Sequence, residues 1–208
     1  IVNSGLKSEG ALSDNARDNK YPQKMLDNFP LNISIAKTNS QKTSKKQDGI
    51  NDYLESLKLW EKEGNARYYT INISCPNTFG GEPFTNPEDL DSLLISLDTV
   101  AVSKPIFVKF PIDKTWEESK MLLDVCAKHN VQGITFGNLY KDRRTVQLHE
   151  SYDSSIKGNF SGKPCFEASN LLLKLSYEEY GDRFIFSGVG GVFTAEDAYI
   201  KIRLGATL

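Results

Sequence analysis

A (β/α)₈ barrel is the fold class this chain predicts, and three observations point to it. Five short runs rich in β-branched and aromatic residues recur along the chain, with amphipathic segments between them. Strands that alternate with helices imply parallel βα units. Polar or glycine residues then stand directly after almost every run: Lys37, Cys75 and Asn77, Lys109, Asn138, and Gly190 with Gly191. In a barrel the C-terminal ends of many strands converge on one site. An open doubly wound sheet would concentrate such residues at a single switch point.

The predicted strands are LNISIA (31–36), YYTINIS (68–74), PIFVKF (105–110), GITFGN (133–138) and FIFSGVG (184–190). They read as almost continuously apolar, as expected where both faces of a sheet are covered. Between them, Ile50, Tyr53, Leu54, Leu57 and Trp60 recur at helical spacing. Asn86-Pro87-Glu88 combines a cap, a proline at the first helical position and an acid in the first turn. Thr115 with Glu118 and Thr194 with Asp197 match the capping-box pattern. The first box opens a helix with Met121, Leu122, Val125 and Cys126 along one stripe, and the second opens a helix ending at Gly205. The KTSKK run at 42–46 reads as a solvated loop.

Composition narrows the function classes. Of the 208 residues, 39% are hydrophobic and 25% charged, which is ordinary for a folded soluble protein. Twenty-five basic against 27 acidic residues give a net charge of −2, so no basic surplus argues for nucleic acid. Three widely spaced cysteines, at 75, 126 and 165, fit neither a disulfide framework nor a zinc site, and a reducing compartment is the default. His129 and His149 are too few and too far apart to suggest a metal. No stretch approaches the ~20 apolar residues that span a bilayer. A barrel usually takes about 250 residues. The expectation is therefore one barrel domain over residues 1–208, truncated at both ends, holding about strands three to seven and the start of eight.

Several residues carry candidate chemistry. FSGVGGVFTAEDA (186–198) reads as a strand, a glycine turn and a capped helix. Glycines let backbone N–H groups approach an anion, and the helix N-terminus adds a favourable dipole. Lys109 sits in an otherwise apolar strand, where an ammonium must snorkel or find an anionic partner. Asn72, Asn77 and Asn138 offer donors and acceptors together, which suits a planar ligand with C=O and N–H edges. Cys75 reads as a small core residue, a nucleophile or a general base.

INISCPNTFGG, FVKFP, NFSGKPCFEAS and FSGVGGVFTAEDAYIKIRLGA occur in this order and together resemble dihydroorotate dehydrogenase, the FMN-dependent barrel enzyme of pyrimidine biosynthesis. The earlier NSGLKSEGAL and SIAKTNS resemble its substrate loop and the end of its third strand. The resemblance implies oxidation of dihydroorotate to orotate on FMN. Cys75 would take a proton from C5 while hydride leaves C6. Asn3, Gly5, Asn72, Asn77 and Asn138 would hold the substrate. Ser34, Lys37, Asn72, Lys109, Gly137, Ser161, Gly162, Val189, Gly190 and Gly191 would hold the cofactor, with Lys109 stabilising charge on the reduced ring. No metal is implied.

Serine is the usual base of the quinone-linked class and cysteine that of the soluble class, so Cys75 resembles the latter. FSGKP and the long early loop resemble the former. Ser34, Gly137 and Leu139 stand where the quinone-linked class usually has Asn, Thr and Thr. Quinone is the acceptor that overall resemblance favours, with fumarate and NAD as alternatives. A cytoplasmic location, or a peripheral one on the inner membrane through an upstream N-terminal region, follows. Competing readings are a dihydropyrimidine dehydrogenase or tRNA-dihydrouridine synthase type of flavin barrel, and an inactive barrel used as a binding module.

Overall fold

A computed structural model describes residues 1–2, 10–18, 21–63, 65–75, 79, 81–143, 153 and 155–208. Five strands form its sheet: β1 (Asn32–Ala36), β2 (Tyr68–Asn72), β3 (Ile106–Phe110), β4 (Gly133–Phe136) and β5 (Ile185–Gly188). They pair in chain order, β1-β2-β3-β4-β5, and every pair is parallel. A doubly wound sheet reverses its order at a switch point. No reversal occurs here, so with the usual right-handed crossover each connection lands on the same side. The result is an arc of a barrel. Beyond β5 the Thr207 N–H donates to Phe186 O (2.8 Å) and the Gly188 N–H to Leu208 O (2.9 Å), so a further extended segment begins to pair where an eighth strand is expected.

The helices are α1 (Ala11–Asp18), α2 (Gln23–Asn28), α3 (Lys46–Glu63), α4 (Pro87–Asp98), α5 (Trp116–Cys126), α6 (Phe166–Tyr180) and α7 (Ala195–Arg203). α3 packs on α4, α4 on α5 and α5 on α6, which makes one continuous outer layer. The three predicted starts hold. Asn86 Oδ1 accepts from the Asp89 N–H at 3.0 Å, with Pro87 in the first turn. Thr115–Glu118 and Thr194–Asp197 each form a complete capping box. α6 has no side-chain cap to announce it. α1 and α2 precede β1, where the sequence suggested only a loop.

Register divides the sheet into two unlike faces. Ile35, Ile71, Val108, Ile134 and Phe186 lie side by side across the five strands, each 3% exposed or less. They meet the helices in one core that includes Leu90, Leu93, Leu94 and Leu97 of α4. Each such side chain contributes about 1.5–3 kcal/mol on burial. One residue along each strand, the side chains reverse: Ala36, Asn72, Lys109, Thr135 and Ser187 form the next row. The strands therefore alternate and are not continuously apolar. Their outer face packs on helices, whereas their inner face near the C-terminal ends is polar.

Two smaller expectations are corrected. Met121 is 48% exposed, and the buried stripe of α5 is Ser119, Leu122, Leu123, Val125 and Cys126. Met121 lies about 100° around the helix from Leu122, outside the face that packs on the sheet. Within 42–46 the lysines are exposed, but Thr43 is buried, its hydroxyl donating to Thr38 O at 2.6 Å, and a 3₁₀ turn spans Gln41–Thr43.

Candidate active site

The predicted residues gather at one rim because parallel strands all end on the same side. Ala36, Asn72, Lys109, Thr135 and Ser187 share one level, and Cys75 lies three residues past Asn72. Lys109 is half-buried, and desolvation lowers its pKa, while the nearby Cys75 opposes that shift. Among the described residues its ammonium has no hydrogen-bond acceptor and no carboxylate. The expected alternative, a structural ion pair, is absent there. A cation held against its own desolvation cost on a concave polar face is arranged for an electron-rich ligand.

Asn72 and Asn138 converge through a residue that motif reading passed over. Asn72 Oδ1 accepts from the Ser74 N–H (3.2 Å) and hydroxyl (3.0 Å), and Asn138 Nδ2 donates to Ser74 O and to Ser74 Oγ (2.9 Å). Ser74 is fully buried and immediately precedes Cys75. This network locks the strand-end turn that presents the thiol. Tyr53 reinforces it from α3, its hydroxyl donating to Asn72 O at 2.7 Å. Lys37 is buried at the end of β1 and donates to Phe79 O at 2.5 Å, while Asn39 Oδ1 accepts from the Phe79 N–H at 3.0 Å. The β1 end thus grips the loop after β2. Burial lowers the Lys37 pKa, opposed by Asp52 and Cys75, so Cys75 lies within electrostatic reach of two ammonium groups.

Glycines build a second feature at the same rim. Gly162, Gly190 and Gly191 have φ of 75°, 99° and 72°, a region that disfavours a side chain. A Cβ on Gly191 would stand 2.7 Å from Phe166 Cβ and 3.1 Å from Gly162 O. The two glycine turns therefore face each other closely, at the starts of α6 and α7. Such a cradle of backbone N–H groups fits a phosphate. Gly137 also has a packing reason, since its Cβ would lie 2.5 Å from Val189 Cβ. Val189 is half-exposed beside the cradle; Ser161 is exposed before Gly162, and Ser34 is exposed on the inner face of edge strand β1.

Asn3, Gly5, Asn77 and His149 lie outside the described residues. Among the described residues, Val2 pairs with Asn159 and Tyr140 with Phe160. Across the mouth, Lys141 bridges Glu82 (2.6 Å) and Asp113 (3.0 Å), tying the loops after β2, β3 and β4 together. Burial raises the Glu82 pKa against the pull of Lys141. The signal for the inner-face residues Thr135 and Ser187 was present as period-two alternation within each strand.

A parallel barrel arc with its reactive and anion-binding groups on the C-terminal rim defines a barrel of the ligand-binding, enzyme-forming kind. Comparison with known proteins is more specific. The family described as Dihydroorotate dehydrogenase matches residues 1–208. The Dihydroorotate dehydrogenase (quinone) of Crocosphaera subtropica is 32% identical over 186 residues, covering 86% of this chain and 48% of that protein. The protein of the same description from Synechocystis sp. is 28% identical over 214 residues, covering 98% of this chain and 54% of that one. Among solved structures, a DHODH of Eimeria tenella in complex with ferulenol superposes with a TM-score of 0.81 at 23% identity, covering 99% of this chain and 60% of that chain. The chain belongs to the dihydroorotate dehydrogenase family. It spans about half the length of the curated relatives it matches.

Proposed function

We propose that the protein oxidises dihydroorotate to orotate in pyrimidine biosynthesis, using FMN in a barrel domain to which residues 1–208 contribute. The observation that carries this reading is the shared rim: a half-buried thiol, a half-buried ammonium without a partner among the described residues, and a positive-φ glycine cradle, in a chain of this family. FMN, when bound, supplies the hydride acceptor.

The chain's own residues do the rest. Cys75 Sγ accepts the C5 proton. Asn72 through its Nδ2 and Asn138 through the remaining lone pair of its Oδ1, both oriented by Ser74, would hold the planar substrate, joined by Asn77, Asn3 and Gly5. Lys109 would offer positive charge beside the cofactor ring, the kind of electrostatic support that stabilises developing negative charge. Gly162, Gly190 and Gly191 would hold the phosphate through backbone N–H groups, with Ser161 and Val189 alongside. Ser34, Lys37 and Gly137 complete the cofactor side.

Quinone is the proposed electron acceptor, supported by the relatives' description as quinone enzymes. A peripheral membrane location accompanies that reading. Among the described residues no helix is long and apolar enough to cross a membrane. The test is direct. Full-length protein should purify yellow, bleach anaerobically on adding dihydroorotate, and recolour with a quinone analogue. A flavoprotein that dihydroorotate never bleaches refutes the substrate. Recolouring by fumarate or NAD but not by quinone refutes the acceptor.

A further inference from the structure

Lys201 is the least expected charge in the molecule. It lies in the last turn of α7, 2% exposed, with its ammonium turned inward. Its Nζ donates to Ser169 Oγ at 2.9 Å and Asn170 Oδ1 at 2.8 Å, both neutral, and stands 5.2 Å from the Phe166 ring centre. No carboxylate within ion-pair distance balances it among the described residues. Burial of an ammonium without a counter-ion is costly, so a charge held this way marks an anion that binds nearby.

The cradle supplies the place. Ser169 Oγ, which receives the Lys201 N–H, is also the atom that a Cβ on Gly190 would meet at 3.2 Å. Lys201 Cδ itself would lie 3.0 Å from a Cβ on Gly188, two residues earlier in the same turn. Phe166, whose ring the ammonium faces, is the residue against which Gly191 packs. The buried cation therefore sits one hydroxyl behind the backbone that forms the glycine turn.

We propose that Lys201 is a positioning residue that charges the Gly162/Gly190–Gly191 cradle from behind, selecting a phosphorylated flavin over an unphosphorylated one. The inference rests on the FMN reading above. Backbone N–H groups alone are dipoles; a full charge behind them, in low dielectric, adds a long-range attraction for a dianion.

The charged groups around it fit this role. Burial pushes the Lys201 pKa down to about 8, with Asp197, Cys165 and Glu167 opposing the shift. Asp197 is hydrogen-bonded by Lys163 and by the Phe193 and Thr194 N–H groups, which hold its carboxyl at about 2, so it does not titrate near neutrality. Burial raises the Cys165 thiol, against the pull of Lys201. A bound phosphate, whose second pKa is about 6, favours the ammonium form. Affinity should then fall as pH rises past about 8, where the empty site loses its proton.

The experiment titrates full-length apoprotein with FMN and, separately, riboflavin, following flavin fluorescence from pH 7 to 9.5. The expected result for Lys201→Met is an FMN affinity about 10- to 100-fold weaker, with riboflavin affinity unchanged within about two-fold. The wild-type FMN-to-riboflavin affinity ratio should decline above pH 8, and the variant's ratio should be flat; ionisation of the flavin ring cancels in that ratio. Equal loss for both ligands, or no loss for FMN, overturns the proposal. If Lys201→Met does not fold, the wild-type ratio decides alone, and a ratio constant to pH 9.5 overturns it. A protein that shows the ratio effect but is never reduced by dihydroorotate sinks the substrate reading and leaves the Lys201 assignment standing. A protein that binds neither flavin overturns both.

Discussion

The two ends of the sheet handle charge in opposite ways. At the N-terminal rim, polar groups are matched. His129 Nδ1 and Nε2 meet Asp98 (2.7 Å) and Asp91 (3.0 Å). Arg183 donates to the carbonyls of Val131 (2.7 Å), His129 (3.0 Å) and Ala127 (3.2 Å) while stacking 4.6 Å from the Phe184 ring centre. Glu61 accepts from Ser103 N (2.9 Å), Ser103 Oγ (2.5 Å) and Tyr69 (2.9 Å). At the C-terminal rim, Lys109 has no counter-ion among the described residues, and the glycine turns adopt backbone angles that only glycine takes readily. The first rim matches its charges; the second, beside the Lys141–Glu82–Asp113 bridge, also holds an ammonium without a counter-ion among the described residues and positive-φ glycine turns.

Substitutions on each side should break this contrast in different currencies. The largest effect belongs to Cys75→Ala: stopped-flow reduction of bound flavin by dihydroorotate should slow about 10²- to 10⁴-fold at neutral pH, the worth of a general base, with FMN still bound. Unchanged reduction would remove the thiol from the mechanism. Next, Arg183→Ala should cost about 2–3 kcal/mol of stability, since three carbonyls near the end of α5 lose their donor. Denaturant unfolding measures this, and the rate of flavin reduction should not move.

Lys109→Met should do the reverse in the flavin-free protein. Its folded-state pKa is lowered, so below its unfolded pKa the charged form destabilises the fold. Removing it should raise stability by about 1 kcal/mol, while flavin reduction slows. A loss of apoprotein stability would mean that the ammonium is compensated after all.

The smallest effect is a pH dependence at His129. Burial opposes its charge, but the hydrogen bonds that its ring N–H groups donate to Asp91 and Asp98 outweigh it and raise the pKa. Its contribution is therefore fully present below the unfolded value of about 6.5 and lost as pH rises through the higher folded value. Asp91→Asn with Asp98→Asn should flatten stability against pH in that window. A profile identical to wild type would dismiss the clamp.

Much of this was legible in the chain. Five strands, the three capped helices and the rim positions of Cys75, Lys109, Asn138 and Gly190–Gly191 follow from local signals: β-branched runs, cap chemistry and glycine spacing. Lys201 was not legible. In EDAYIKIRLGA it stands in the last turn of an amphipathic helix, where a lysine ordinarily reaches solvent and favours the helix dipole. Ser74 was equally silent, since a serine after a strand has many uses. Met121 was misassigned because a stripe in sequence does not say which face meets a neighbour.

The sequence by itself determined element order, parallel pairing and which strand ends carry reactive groups, because these depend on contacts a few residues apart and on the single direction of βα crossovers. Only the tertiary structure decided the pairing of charges. Whether Lys109 meets a counter-ion, Lys201 faces inward, or Ser74 reaches Asn138 depends on residues distant in sequence: 31 and 32 positions separate Lys201 from its partners, and 64 separate Ser74 from Asn138. Burial sets the energy of an ion, and burial is a property of the packed chain.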